Sequence, residues 1–275
     1  MSDSVTPLPE AAPQHAAPQD AVVARLRAAG CVFAEDEARI ILATATTPDE
    51  LDAMVVRRAG GLPLEHVVGW AEFCGLRIAV DPGVFVPRRR TELLVREAVA
   101  LARAARAEGG TVVDLCCGTG AVGAALAAAL APTELHAADL DPAAVACAAR
   151  NLAGVGGRVH RGDLFAALPA ALRGTVDLLA ANVPYVPSGA VGLLPAEARD
   201  HEALIALDGG HDGLDVMRRV AASAADWLAP GGSLLVEAGE RQAQTAAGIL
   251  AGGGLRPRLA TDDDLGATVV IGTRP

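Results

Sequence analysis

Val112-Val113-Asp114-Leu115-Cys116-Cys117-Gly118-Thr119-Gly120 carries an apolar, β-prone run straight into a glycine turn, and the alanine-rich stretch from Ala121 reads as a helix. A strand that feeds a helix through glycines is the architecture of a nucleotide-type cofactor site. Gly118 and Gly120 let the backbone approach a ligand closely, and amides at the helix start can hold a carboxylate. Taken alone, this pattern also fits a tight turn with no ligand. Asp139 adds weight, because it ends the next strand about twenty residues on, where a carboxylate can accept hydrogen bonds from two ribose hydroxyls. Gly118, Gly120 and Gly123 share the spacing of the dinucleotide fingerprint, so the glycines alone do not choose between a nicotinamide cofactor and an adenosyl one without a pyrophosphate, and the latter is expected. Asp163, in Arg161-Gly162-Asp163-Leu164, is placed for an adenine amino group or else is a turn acid or helix cap, and Asp141 reads as the cap of a helix that starts at Pro142.

Outward from this segment, strands and helices alternate. Strands are expected at 112–115, 134–138, 158–160, 176–180, 233–237 and 268–272, and helices at 91–107, 121–130, 142–153, 213–227 and 241–251, with a turn at Pro230-Gly231-Gly232. That order implies an α/β fold, a Rossmann-like doubly wound parallel sheet with helices on both faces. Upstream the character changes. Residues 1–19 are rich in Pro and Ala without apolar periodicity and read as a flexible leader. Residues 20–74 read as a small helical unit with helices at 20–29, 35–45, from 47, and at 64–68. Asp20 is expected to cap the first and Gly30 to end it. Thr47-Pro48-Asp49-Glu50 is a start signal with Thr47 as N-cap, Pro48 at N1 and Glu50 reaching back, and Gly60-Gly61 is the stop. The unit is too small for a catalytic domain and is expected to recognise substrate. Residues 75–86 are expected to be a hairpin linker, with runs 76–80 and 84–86 joined by Asp81-Pro82-Gly83, and the catalytic domain to fill 87–275.

Composition narrows the function. The net charge of −10 at pH 7 argues against a nucleic-acid partner gripped along a broad basic face. Nothing approaches a membrane-spanning run, and the chain starts without a basic, then apolar, targeting pattern, so a cytoplasmic protein with no membrane partner is expected. The five cysteines, Cys31, Cys74, Cys116, Cys117 and Cys147, lack paired zinc spacing and are expected to be reduced and mostly buried. The six histidines lack helical metal-site spacing, and no metal is expected.

The residues after the fourth strand decide the chemistry. Asn182-Val183-Pro184-Tyr185 lies at the carboxyl edge, where doubly wound sheets bind ligands. It resembles the Asn-Pro-Pro-Tyr motif of methyltransferases that act on planar nitrogens, in which the Asn oxygen and the next carbonyl accept hydrogen bonds from the target NH2. The resemblance implies that Asn182, Val183, Pro184 and Tyr185 bind the substrate, with Asn182, Pro184 and Tyr185 as the catalytic set and Tyr185 packed on the planar group. Val183 departs from the motif. It keeps the carbonyl and gives up the fixed φ of proline.

Further segments extend the match over nearly the whole chain after the leader: Arg58-Ala59-Gly60-Gly61-Leu62-Pro63-Leu64, Glu72-Phe73-Cys74-Gly75-Leu76, Pro87-Arg88-Arg89-Arg90-Thr91-Glu92, Glu197, His201-Glu202, Leu207-Asp208-Gly209-Gly210 and Glu237-Ala238-Gly239 with Gln242. Arg88 to Arg90, Asp208 to Gly210 and Glu237 also fit a solvated charge run, a turn and a strand-end acid with a structural partner. Together the segments resemble the HemK/PrmC group of protein-(glutamine-N5) methyltransferases. The resemblance implies a class I S-adenosylmethionine-dependent fold. It implies cofactor contacts from Cys116, Cys117, Gly118, Thr119, Gly120, Asp139, Asp163, Leu164 and Asn182, and S-adenosylhomocysteine as product. The substrate it implies is a protein glutamine, that of Gly-Gly-Gln in a peptide chain release factor or one in a ribosomal protein. Leu164, where an aromatic would be unsurprising, and Ala203, where proline is common, join Val183 in marking a divergent member. Two other readings stay open: an N6-adenine methyltransferase of DNA or RNA, since adenine presents the same planar NH2, and a catalytically quiet S-adenosylmethionine-binding module.

Overall fold

The structure, a computed structural model, describes residues 18–105, 110–130 and 133–275. The chain divides after Val68 into two compact units. The expected leader lies outside the described residues up to position 17, as do the last two residues of the helix expected at 91–107.

The first unit holds α1 (Pro18–Ala28), α2 (Ala34–Thr44), α3 (Pro48–Ala59) and α4 (Leu64–Val68). Because α1 starts at Pro18, Asp20 sits inside its first turn and does not cap it. Gly30, at φ +90, follows the end of α1. Thr47 caps α3, its hydroxyl accepting from the Glu50 N–H at 3.2 Å. The Glu50 carboxylate reaches one residue further back than a reciprocal box requires, accepting from the Thr46 N–H at 2.8 Å and its hydroxyl at 2.6 Å. Those bonds hold the Glu50 carboxyl below its ordinary pKa. Arg58 donates two hydrogen bonds to Glu37, at 2.6 and 2.9 Å, and one to Leu62 O at 2.9 Å, so one buried guanidinium ties α2, α3 and the Gly60-Gly61 turn together.

The second unit opens with a hairpin displaced from its expected place. The strands are β1 (Trp70–Phe73) and β2 (Leu76–Ala79), paired Trp70↔Ala79 through Phe73↔Leu76. Cys74 and Gly75 both have positive φ, 50° and 74°, as a tight two-residue hairpin turn requires. A turn does form at Asp81-Pro82-Gly83, with the Val84 N–H donating to Asp81 O at 3.1 Å. Residues 84–86 form no strand among the described residues, and the Val86 N–H donates to the Glu202 carboxylate at 3.1 Å. They form a buried connector in place of the expected second strand, and the division between the units falls at Val68, ahead of the hairpin.

The rest is α5 (Glu92–Ala105), β3 (Thr111–Leu115), α6 (Ala121–Leu130), β4 (Glu134–Asp139), α7 (Pro142–Leu152), β5 (Arg158–Arg161), β6 (Val176–Ala181), α8 (Ala196–His201), α9 (Asp215–Trp227), β7 (Leu228–Glu237), α10 (Ala243–Gly252), β8 (Arg256–Asp262) and β9 (Ala267–Thr273). Strand order is β5-β4-β3-β6-β7-β9-β8. Strands β5 to β7 are parallel neighbours in that order, whereas β9 runs antiparallel to both β7 and β8, so the sheet is mixed where an all-parallel one was expected. β8 was not expected, for its side chains are mostly half-exposed or exposed and carry no apolar alternation. Pro230-Gly231-Gly232 lies inside β7: Val176 pairs with Leu228 and Leu178 with Ser233, and the residues between loop out as a bulge.

Alternation along the strands sends successive residues to opposite faces. Val112 and Leu178 enter the core beneath α5, α6 and α7, with Leu93, Leu126 and Leu152, while Val113 and Leu179 enter the core beneath α9 and α10, with Met217, Trp227 and Leu250. Each fully buried Leu contributes roughly 1.5–3 kcal/mol. Two such cores fix the register of the sheet, because a one-residue slip would exchange its faces. Chain order reverses between β3 and β6, and the crevice at their carboxyl ends is the ligand-binding position of a doubly wound sheet. No helix among the described residues is long and apolar enough to cross a membrane. Cys117 and Cys147 are buried, the other three cysteines half-buried, and all five are free thiols, so burial is less general than expected.

Candidate active site

A cavity of about 630 Å³ occupies that crevice, within the ordinary range for small-molecule sites. One wall is the turn after β3. Cys116 (φ 55), Gly118 (φ 54) and Gly120 (φ 77) adopt left-handed backbone, and Leu164, on the adjoining wall, does so too (φ 50). A non-glycine residue there is strained by about 1–3 kcal/mol, and such strain gathers at ligand sites. A Cβ at Gly118 would meet no protein atom within 4 Å, so packing does not explain the glycine. Gly120 differs. It is not on the cavity wall, and a Cβ there would lie 3.2 Å from Ala148 and Leu152, so it serves the approach of α7.

Asp139 faces the same turn. Its Oδ2 accepts from the Gly118 N–H and its Oδ1 from the Asp141 N–H, each at 2.9 Å, which fixes the carboxylate and leaves lone pairs on both oxygens for a diol. Burial raises its pKa, and the two amide donors oppose the rise. Asp141 caps α7 as expected, accepting from the Ala143 N–H at 2.9 Å. Asp114 lies deeper, accepting from the Gly123 N–H at 2.8 Å, and burial pushes its pKa up to about 7. Asp163 is half-exposed and pairs with Arg219 at 2.6 Å. Asp163, Leu164, Leu140 and the 116–119 turn all line the cavity, offering a carboxylate pair, apolar faces and a glycine turn, a donor and acceptor set that fits an adenosyl group carrying a methionyl chain.

A further wall follows β6, the strand beside β3. Asn182, Val183, Pro184 and Tyr185 all line the cavity, so the structure brings this motif and the glycine turn together. Val183 is 1% exposed, its side chain in the core with Leu179 and Val236, which places an apolar residue of suitable size under the turn. The turn is held from below. Gln242 Nε2 donates to Tyr185 O at 3.0 Å and to Asp212 O at 2.9 Å, while the Gly209 N–H donates to Val186 O at 2.8 Å. Any Cβ at Gly209 would stand 2.6 Å from Pro184 O, so only glycine permits the approach.

Glu237, at the end of β7, gathers the rest. It is 2% exposed, and its Oε1 accepts from the Tyr185 hydroxyl and from Arg90 Nε, both at 2.8 Å. Its Oε2 accepts from the Thr91 hydroxyl at 2.6 Å. Burial, with the Glu237 charge next in effect, pushes the Tyr185 phenol well above its ordinary pKa, so Tyr185 stays a neutral donor. The rim is the segment from Leu194 to Leu207, anchored by Glu202, which accepts from Arg88 Nη2 at 2.5 Å. Ala203, standing where proline is common, donates its N–H to Gly83 O at 3.2 Å, which proline cannot do. Sequence reading named Arg90, Thr91, Glu202, Glu237 and Gln242 only as members of a pattern. Their convergence carries no local signal, since Thr91 and Glu237 are 146 residues apart.

A family profile described as "Methyltransferase small domain" matches residues 75–194. The release factor glutamine methyltransferase of Geobacter sulfurreducens is 38% identical over 232 residues, covering 82% of this chain and 79% of that one. A 4-amino-L-phenylalanine/4-methylamino-L-phenylalanine methyltransferase of Streptomyces pristinaespiralis is 37% identical over 251 residues, covering 84% and 85%. A solved methyltransferase from Pyrococcus furiosus shares the fold, with a TM-score of 0.53 at 16% identity over 81% of this chain and 97% of that one. The strand-to-helix glycine turn, the Asn182 to Tyr185 wall and this degree of identity lead to one placement: the chain belongs to the release factor glutamine methyltransferase family of S-adenosylmethionine-dependent enzymes.

Proposed function

We propose that the enzyme methylates the side-chain amide nitrogen N5 of a protein glutamine, the Gly-Gly-Gln glutamine of a peptide chain release factor foremost. The observation that carries this reading is that Asn182 and Val183 line the same cavity as Asp139 and the 116–119 turn. When bound, S-adenosylmethionine supplies a methyl group made electrophilic by its sulfonium. Cys116 to Thr119, Asp139, Asp163 and Leu164 would hold it, and Gly120 would act by letting α7 close on the turn. An amide nitrogen is a poor nucleophile because its lone pair is delocalised, so what the protein can contribute is alignment. Asn182 Oδ1 and Val183 O would each accept one hydrogen of the NH2, turning the nitrogen's lone-pair face across the cavity. Pro184 and Tyr185 would shape the slot for the planar group, and solvent would take the proton after transfer. We assign the helical unit to recognition of the substrate protein and, from a substrate of the translation machinery, place the enzyme in the cytoplasm.

Purified protein incubated with methyl-labelled S-adenosylmethionine, a release factor containing Gly-Gly-Gln, ribosomal proteins, tRNA and 4-amino-L-phenylalanine tests the reading by mapping the label. Label on glutamine is expected, and Asn182→Ala should lower turnover by about 100-fold or more while cofactor affinity holds within about 3-fold. Label confined to tRNA or to the free arylamine would replace the substrate class. Cofactor binding with no label anywhere would leave a binding module.

A further inference from the structure

The Asn182 amide can sit in its site two ways, and only one of them presents an oxygen to a substrate NH2. We propose that Thr91, with its hydroxyl proton committed to Glu237, is the positioning residue that selects the productive orientation. This rests on the glutamine-methylation reading, since it gives the Asn182 oxygen its purpose.

A threonine hydroxyl has one hydrogen to donate and lone pairs to accept with. Thr91 Oγ1 lies 2.6 Å from Glu237 Oε2, and the Glu237 side chain is 3% exposed, so the hydroxyl hydrogen lies between those two oxygens. Glu237 is held as an acceptor on its other oxygen as well, where the Tyr185 hydroxyl and Arg90 Nε converge. Toward Asn182, therefore, Thr91 can only accept. Asn182 Nδ2 stands 3.5 Å from Thr91 Oγ1. That separation is at the long end for a hydrogen bond, and the attraction itself is small. Its direction is what matters. A flipped amide would set Asn182 Oδ1 against the Thr91 lone pairs, two acceptors face to face with no hydrogen between them. The amide nitrogen thus turns toward Thr91, and Oδ1 turns away from it. Thr91 belongs to the 3-10 turn Arg89–Thr91 that leads into α5, so the residue that orients the Asn182 amide comes from the segment just ahead of the α/β sheet.

The test uses the full chain with isotope-labelled asparagine side chains and three proteins: wild type, Thr91→Val, which keeps the shape and loses the hydroxyl, and Thr91→Ser, which keeps the hydroxyl. In the wild type, the Asn182 Nδ2 hydrogens should show a nuclear Overhauser contact to the Thr91 side chain. With a Gly-Gly-Gln release factor as substrate, Thr91→Val should lower kcat by about 30-fold with cofactor Kd unchanged within about 3-fold, and Thr91→Ser should recover most of it. Wild-type kcat in folded Thr91→Val, or an Asn182 NH2 pointing away from Thr91, overturns the proposal. Should the wild type fail to methylate glutamine at all, the functional reading falls, and the Overhauser contact still decides the orientation by itself.

Discussion

The Tyr185 hydroxyl donates to Glu237 Oε1 at 2.8 Å, joining the turn after β6 to the end of β7 across 52 residues of sequence. Tyr185→Phe keeps the ring and removes the donor, leaving a buried carboxylate with one fewer partner. We expect a loss of about 1–3 kcal/mol of stability by denaturant titration, with cofactor affinity unchanged. A stability equal to wild type would mean that Arg90 and Thr91 satisfy Glu237 without it.

Asp139 offers its free lone pairs where a ribose diol would fit, so Asp139→Ala should weaken S-adenosylhomocysteine by about 100-fold in calorimetry, two charge-assisted hydrogen bonds being lost. Unchanged affinity would take Asp139 out of the cofactor site.

Asp114 makes stability depend on pH in the less common direction. Its folded pKa is raised from 3.8 to about 7 by burial. Between those values the folded state binds a proton that the unfolded chain has released, so this group's contribution falls as pH rises from about 4 to 7. The gap of about three units is on the order of 4 kcal/mol. Asp114→Asn retains an oxygen for the Gly123 N–H and removes the charge. Without cofactor it should melt above wild type at pH 8, and the difference should vanish toward pH 4. Parallel melting curves at every pH would refute this.

The Glu37–Arg58 pair gives the helical unit its own weak point. Both side chains are about one-tenth exposed, 10% and 9%. Glu37→Ala leaves the guanidinium buried without the carboxylate, which costs about 3–5 kcal/mol. Circular dichroism should show early loss of helix, while S-adenosylhomocysteine still binds the second unit. Loss of both together would show that the units unfold as one.

What could be read from the sequence alone was what is encoded locally. The run into Gly118-Thr119-Gly120, the α6 limits at Ala121 and Leu130, the Thr47 cap and the Asp141 cap each depend on residues a few positions apart, and each stands where it was expected. The hairpin was misplaced because its turn uses Cys74, a residue type seldom found at positive φ, while a better turn signal lay nearby at Asp81-Pro82-Gly83. β8 was missed because an edge strand with mixed exposure has no period-two signature. Within the site, the cavity-lining motifs were legible and the scaffold behind them was not. Glu237 accepts from three side chains, all from other segments, and no spacing rule connects them.

The order β5-β4-β3-β6-β7-β9-β8 makes β5 and β8 the edge strands of the seven-stranded sheet. Both are guarded. β5 begins and ends in Arg158 and Arg161, and β8 opens Arg256-Pro257-Arg258, whose proline has no N–H to offer. Charged side chains and a proline along these two borders make strand addition by a second copy unrewarding. The sheet can therefore carry a strongly apolar interior without inviting cross-β growth.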